Sequence, residues 1–169
     1  MNLFLLSLNI EECAQWHCDK HVVKMILELV QMLYTAWHVN GFSVSGAPIC
    51  KSTGNNGYKK ISNHNHPMAI WVRETPRNYK FTVKLAAALC LEFNHRYGHH
   101  HSCTEHVLWL SLSRPFSPGC GKRGFTTVPQ CMPDQYKVEG NTVQAYRNYY
   151  DGDKRRFAKW SKRDAPYWW

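Results

Sequence analysis

Apolar positions along this chain recur mostly at helical spacing. Val22, Met25, Ile26, Leu29, Val30 and Leu33 fall on one side of a 3.6-residue period and predict a helix with one buried face. Asn9, with Glu12 three residues on, has the form of a capping box, and Asn40-Gly41 supplies a stop. One helix of roughly 30 residues is therefore expected, with Asp19 as the place where so long a helix would break. From Phe42 to Asn65 the pattern dissolves into FSVSGAPICKSTGNNGYKKISNHN, which predicts a flexible loop carrying Lys51, Lys59 and Lys60. Loops of this length in compact domains are usually functional or disordered. Pro67 suits a first helical turn, and Thr75-Pro76 reads as a cap followed by a helix start. Residues 76 to 97 carry Phe81, Leu85, Leu89 and Phe93 on one stripe and meet Gly98. Ser102 and Glu105 open a short helix through Leu112. Residues 113 to 135 hold four prolines and three glycines and read as irregular. A basic, aromatic C-terminal helix is expected over 141 to 163, with Asp151-Gly152 as an interruption. Alternating strands and repeats are absent. The expected fold is mostly α, a single-domain helical bundle over residues 1 to 169 with long irregular loops.

Composition adds a partner to this outline. The chain has 169 residues, with 21 Lys and Arg against 12 Asp and Glu, for a formal net charge of +9, and 14% aromatic residues. Cations and rings together suit a polyanion whose bases stack, such as DNA or RNA. The apolar run in MNLFLLSLNIEE is short and lacks both a basic flank and a cleavage site, and no stretch approaches the roughly 20 residues that a bilayer requires. Seven scattered cysteines without a C-x-x-C pair fit a reduced cytoplasm. A soluble, unprocessed, monomeric protein with no membrane partner is expected.

Candidate chemistry concentrates in three places. In HCDKHVVK, residues 17 to 24, helical spacing puts His17, His21 and Lys24 on one stripe with Cys13 and Glu28, with Lys20 at its margin. Asp19 projects instead toward the apolar face, where a carboxylate must find donors or a cation, or its pKa rises. His17 and His21 at i, i+4 are able to chelate one ion, but the glutamate of H-E-x-x-H is missing and no third ligand is fixed, so no metal is assigned. In NHNHPMAIWVRET, residues 63 to 75, Arg73 is a phosphate fork, Trp71 a core residue or a stand-in for an expelled base, and Glu74 a second carboxylate. From 147 to 163, seven Lys or Arg interleave with Tyr149, Tyr150, Phe157 and Trp160. Arg147, Tyr149, Lys154 and Arg155 are the DNA contacts expected there. The Gly-rich phosphate loop, the dinucleotide fingerprint and the nucleophile elbow are all missing, which leaves NTP hydrolysis, dinucleotide redox and serine hydrolysis unsupported.

Two resemblances follow from these residues. HCDKHVVKMILE, HPMAIWVRE, PQCMPDQYK and AYRNYY together resemble a family of small phage-encoded and viral-like proteins over nearly the whole chain. The chain is also similar, more weakly, to the phage pyrimidine-dimer DNA glycosylases, the endonuclease V family. LNIEECAQWH resembles that family's approach to an early helical histidine, here His17, and YRNYYDGDK resembles its Tyr-Tyr-x-x-Lys tail, here Tyr149, Tyr150 and Lys154. The family is helical, basic and single-domain, and it uses as nucleophile the α-amine of a small residue exposed by Met removal. In this chain Asn2 follows Met1, and Asn is a poor candidate for such trimming. The family's glutamate beyond the histidine has no clean counterpart: Lys24 stands nearby, with Glu28 one turn on. These departures put lyase activity in question.

Taken together, the residues and the resemblance lead to a DNA glycosylase that flips out and excises a damaged or modified pyrimidine, without a cofactor, in a bacterial or phage-infected cell. Its partner is double- or single-stranded DNA. Asp19 is the first choice for the carboxylate that stabilises the sugar cation, with Glu28 and Glu74 in reserve. His17 or His21 would assist as general acid or hydrogen-bond donor. Lys20, Lys24 and Arg73 would hold phosphates, and Asn63 or Asn65 would read a base edge. The alternatives are a non-catalytic DNA- or RNA-binding module and a zinc-dependent nucleotide-modifying enzyme.

Overall fold

The computed structural model describes residues 2–112, 114–117, 119 and 124–169, and it is mostly helical. Its elements are α1 (Ile10–Trp16), α2 (Asp19–Val39), α3 (Pro67–Glu74), α4 (Pro76–Tyr97), α5 (Thr104–Leu112), a 3-10 turn at Asp134–Tyr136, α6 (Thr142–Tyr149) and a π turn at Tyr150–Lys154. No strand forms among the described residues, where Ile49 and Asn56 make an isolated antiparallel bridge. No helix there is long and apolar enough to cross a membrane.

Local signals set most boundaries. Asn9 accepts from the backbone N–H of Glu11 and Glu12, Thr75 accepts from Asn78, and Asn141 accepts from Gln144, each relieving free donors in a first turn. Pro67 and Pro76 start their helices, where a missing N–H costs nothing, and Gly98 ends α4 at φ +75°. The stripe anticipated on α2, from Val22 to Leu33, is buried throughout. That face packs on α4, α3 and α5, while α4 carries α1 on its other flank.

One boundary falls where length suggested a break, and one differs from expectation. The first helix is not continuous: α1 stops at Trp16, and His17 and Cys18 are extended before α2 begins. Tertiary partners hold this break, since the Tyr150 hydroxyl takes the Cys18 N–H at 3.3 Å and the Lys159 carbonyl takes the Asp19 N–H at 2.8 Å. The stripe of Cys13, His17, His21, Lys24 and Glu28 therefore does not lie on one helix. The C-terminal helix also falls short of 163, because it widens into the π turn and ends at Lys154. A side chain on Gly152 would meet the outer end of the Tyr136 ring, which would have to shift. Residues 155–169 then fold back along α1, where Trp160 donates to the Trp16 carbonyl at 3.0 Å. Of the irregular segment 113 to 135, Ser113, Pro118 and 120 to 123 lie outside the described residues; Cys120 is among them, and the other six cysteines are unpaired thiols.

Candidate active site

The extended segment Leu3–Leu6 is buried and brings Asn2 to the side of α2. There the Asn2 backbone N–H donates to Glu28 Oε2 at 2.8 Å. Glu28 also pairs with Lys24 Nζ at 3.3 Å, and its side chain is only 12% exposed. The Asn2 carboxamide is clamped in turn: Nδ2 donates to the Cys131 carbonyl at 2.9 Å, and Oδ1 accepts from the Tyr146 hydroxyl at 2.9 Å. Tyr146 lies buried on α6, so α2, α6 and the PQCMP segment converge on one asparagine. His66 completes the cluster as the N-cap of α3. Its Nδ1 accepts from the Met68 N–H at 3.2 Å, which leaves the ring proton on Nε2. Burial lowers the His66 pKa, with Glu28 pulling the other way, so the imidazole is neutral near pH 7. Beside it opens a hollow of about 430 Å³ lined by His66, Pro129, Cys131, Pro133, Lys137 and Tyr149. A neutral imidazole donor and a half-buried tyrosine line this hollow, and the Glu28 carboxylate is joined to its wall through Asn2 and Cys131, an arrangement suited to acid–base chemistry and stacking.

Sequence reasoning named Glu28, Lys24 and Tyr149, set Asn2 at the family's nucleophile position without giving it a role, considered His66 only as a possible third metal ligand, and did not name Lys137 or Tyr146. His66 carried a usable signal, because the residue before a helix-starting proline sits at the cap position. Asn2 was marked by the family resemblance, but its partners, 26 to 144 positions away, were not legible.

Asp19 lies elsewhere. It opens α2 nine residues before Glu28, roughly 13 Å away along the helix. Its Oδ1 accepts from Arg96 at 2.9 Å, and Ser161 donates through both its N–H and its hydroxyl. Burial works to raise the Asp19 pKa, but these donors outweigh it and the net shift is downward.

His17 and His21 are core residues. His17 Nδ1 donates to the Cys13 carbonyl at 2.6 Å, and its Nε2 is buried without a partner among the described residues. The Tyr150 hydroxyl donates to His21 Nδ1, and the His21 ring stacks on Phe4 at 4.5 Å. Burial holds the His17 pKa down at about 4 and the His21 pKa at about 3. The unfolded chain, with histidines near 6.5, thus binds more protons than the fold below pH 6.5, so stability present above that pH is lost as pH falls toward 4. We expect each of the two histidines to withdraw about 2 kcal/mol by pH 5, a loss readable as a lower urea midpoint at pH 5 than at pH 7. Equal midpoints would mean that these rings are solvated in the folded state.

The remaining candidates are scattered. Arg73 holds the His64 carbonyl, while Glu74 accepts from the Thr126 hydroxyl at 3.0 Å; Asn63 and Asn65 are exposed ahead of α3, and Trp71 is core. Arg147 is enclosed by the rings of Trp16, Tyr167 and Trp168 and donates to the Leu6 carbonyl at 3.0 Å, so its cation already serves the fold. Arg155 pairs with Asp151 and lies over Trp169, and Lys20 lies over Phe157. Lys154 donates at 3.0 Å to the hydroxyl of Tyr149, which lines the hollow. His17 and His21 do not share a helix face, and among the described residues no three His, Cys, Asp or Glu side chains are grouped to hold a metal.

Residues 1–105 match the family model described as pyrimidine dimer DNA glycosylase. No protein with a curated description matches the chain, and no solved structure matches it.

Proposed function

The chain belongs to the pyrimidine dimer DNA glycosylase family, and from that premise we propose that it cuts the glycosidic bond of a cross-linked pyrimidine by hydrolysis at the Asn2–Glu28–His66 cluster. The observation that carries this reading is the contact of the Asn2 N–H with the Glu28 carboxylate, while the Asn2 carboxamide bonds Cys131 in the lining of the hollow. In glycosidic cleavage the base departs with the bonding electron pair, and C1′ of the sugar becomes cationic. Glu28, sheltered and paired with Lys24, opposes that charge and accepts the proton of the water that adds to C1′. The Nε2–H of His66 donates to an oxygen of the departing pyrimidine, and Tyr149 offers a ring on which the extruded base stacks. Lys24, Lys137 and Lys154 surround this point and supply phosphate contacts.

Asp19, whose two oxygens are committed to Arg96 and Ser161, serves the fold in this reading. The likeness of HCDKHVVKMILE to small phage-encoded proteins adds a phage setting to the proposal. An oligonucleotide with one site-specific cyclobutane dimer tests it. We expect alkali-labile strand breaks at the dimer in the presence of EDTA, and no covalent adduct on borohydride reduction. A borohydride-trapped adduct would replace hydrolysis by the amine route, and intact DNA under every condition would leave a binding module.

A further inference from the structure

On the far side of Lys24 lies a groove of about 890 Å³, bounded by α2, residues 49–61 and the start of α5. Lys51, Lys59 and Lys60 are exposed on its rim, against one carboxylate, Glu105. His101 and His106 also line it, but burial lowers both pKa values, so neither adds charge near pH 7. Its floor is apolar, formed by Val23, Leu27, Ile49, Tyr58 and Ile61, with Val23 42% and Ile49 55% exposed. The lysine-bearing segment is folded against α2. The Asn56 carboxamide donates to the Ala47 carbonyl at 2.7 Å, His38 Nε2 donates to the Tyr58 carbonyl at 2.9 Å, and Gly57, at φ +65°, sits so close on the Tyr34 ring that no Cβ fits.

We propose that this groove holds an unpaired DNA strand next to the lesion, with phosphates on Lys51, Lys59 and Lys60 and base faces on the Val23–Ile49–Tyr58 floor. The choice of DNA rests on the glycosylase reading; the choice of an unpaired strand rests on the groove itself. A duplex offers phosphates and base edges but keeps its apolar base faces stacked inside, so Val23 and Ile49 would stay wet against it. An unpaired strand presents those faces, and a cationic rim around an apolar, aromatic floor is what such a strand requires. The substrate class is therefore a dimer in single-stranded or locally opened DNA. Lys24 links the two sites, because it lines the groove and pairs with Glu28.

Fluorescence anisotropy with an undamaged oligothymidylate of about 12 nucleotides, beside a duplex of equal length, tests this without any chemistry. Lys59→Glu/Lys60→Glu should weaken binding to the single strand at least about tenfold and reduce the salt slope by about 1.4. Ile49→Ser, an exposed position, should cost about threefold on the single strand and nothing on the duplex. Single-strand affinity within about twofold of wild type in the double variant, or equal losses on both DNAs with Ile49→Ser, overturns the proposal. Should the variants lose single-strand binding while the wild type leaves every dimer intact, the groove stands and the glycosylase reading falls. Unchanged binding alongside normal dimer cleavage gives the reverse.

Discussion

Glu28→Gln is expected to slow glycosidic cleavage by about 10³-fold while the protein stays folded. The amide keeps the size of the side chain, and its carbonyl oxygen can still accept from the Asn2 N–H, so the cluster persists. What disappears is the negative charge facing C1′ and the base that takes the water's proton. The ion pair with Lys24 is also lost, but that lysine is 67% exposed, and such i, i+4 pairs are worth only about 0.3–0.5 kcal/mol. Alkali-labile strand breaks on a dimer-containing oligonucleotide, followed alongside thermal unfolding, check the result. Asp19→Asn is the necessary companion. It should release the same product per folded molecule, because its carboxylate lies roughly 13 Å from Glu28 along α2. An inactive but folded Asp19→Asn with an active Glu28→Gln would return the catalytic role to Asp19.

Arg96→Met should destabilise the protein by about 3–5 kcal/mol, lowering Tm by about 10 °C. The Arg96 side chain is fully buried and ties three parts of the chain together. It donates to Glu92 at 2.7 Å, to Asp19 at 2.9 Å and to the Gln15 carbonyl at 2.8 Å. Glu92, itself buried, receives a second cation from Arg163 at 2.9 Å. Burial works to raise the Glu92 pKa, but the bonds from Arg163 and Arg96 outweigh it. Methionine fills a similar volume and satisfies none of these acceptors, so the cost comes from carboxylates left short of donors in a sheltered place. Thermal melts with the matched variant Arg163→Met separate the terms: Arg163 is partly exposed, and its loss should cost under about 2 kcal/mol. A Tm within 2 °C of wild type for Arg96→Met would mean that the surrounding chain supplies other donors.

The sequence made some of this architecture legible, and the limits have physical causes. Wherever a boundary is set by neighbours in the chain, it could be read: Thr75-Pro76 and Gly98 frame α4, and Pro67 starts α3. The short fifth helix was legible as an element, though it starts at Thr104, after His101 Nδ1 has taken the Cys103 N–H. The break between α1 and α2 was guessable only from length, because the groups that hold it, Tyr150 and Lys159, arrive from more than 130 positions away. The last helix was expected to resume to 163 after an interruption at Asp151-Gly152; it ends at Lys154 instead, and the chain beyond it bonds back to Trp16 through Trp160, a partner 144 positions away. At the site, an ideal helix through residues 10 to 39 gathered His17, His21, Lys24 and Glu28 on one stripe. Once the helix is interrupted, Lys24 and Glu28 remain together on the α2 surface, and both histidines turn into the core around Tyr150. Burial, which no spacing rule reports, then makes those histidines neutral.

The close seating of Gly57 on Tyr34 bears on the entropy of DNA capture. A surface loop that becomes ordered only on binding sacrifices backbone freedom at that moment, about 1–2 kcal/mol for each residue fixed. Here residues 49–57 are already held by the Ile49–Asn56 bridge and by the ring beneath Gly57, so that loss is incurred when the protein folds. Lys51, Lys59 and Lys60 then meet a strand as a prepared array, and more of each electrostatic contact survives as affinity. Tyr34, wholly buried, would thereby bear on how tightly the proposed groove holds DNA.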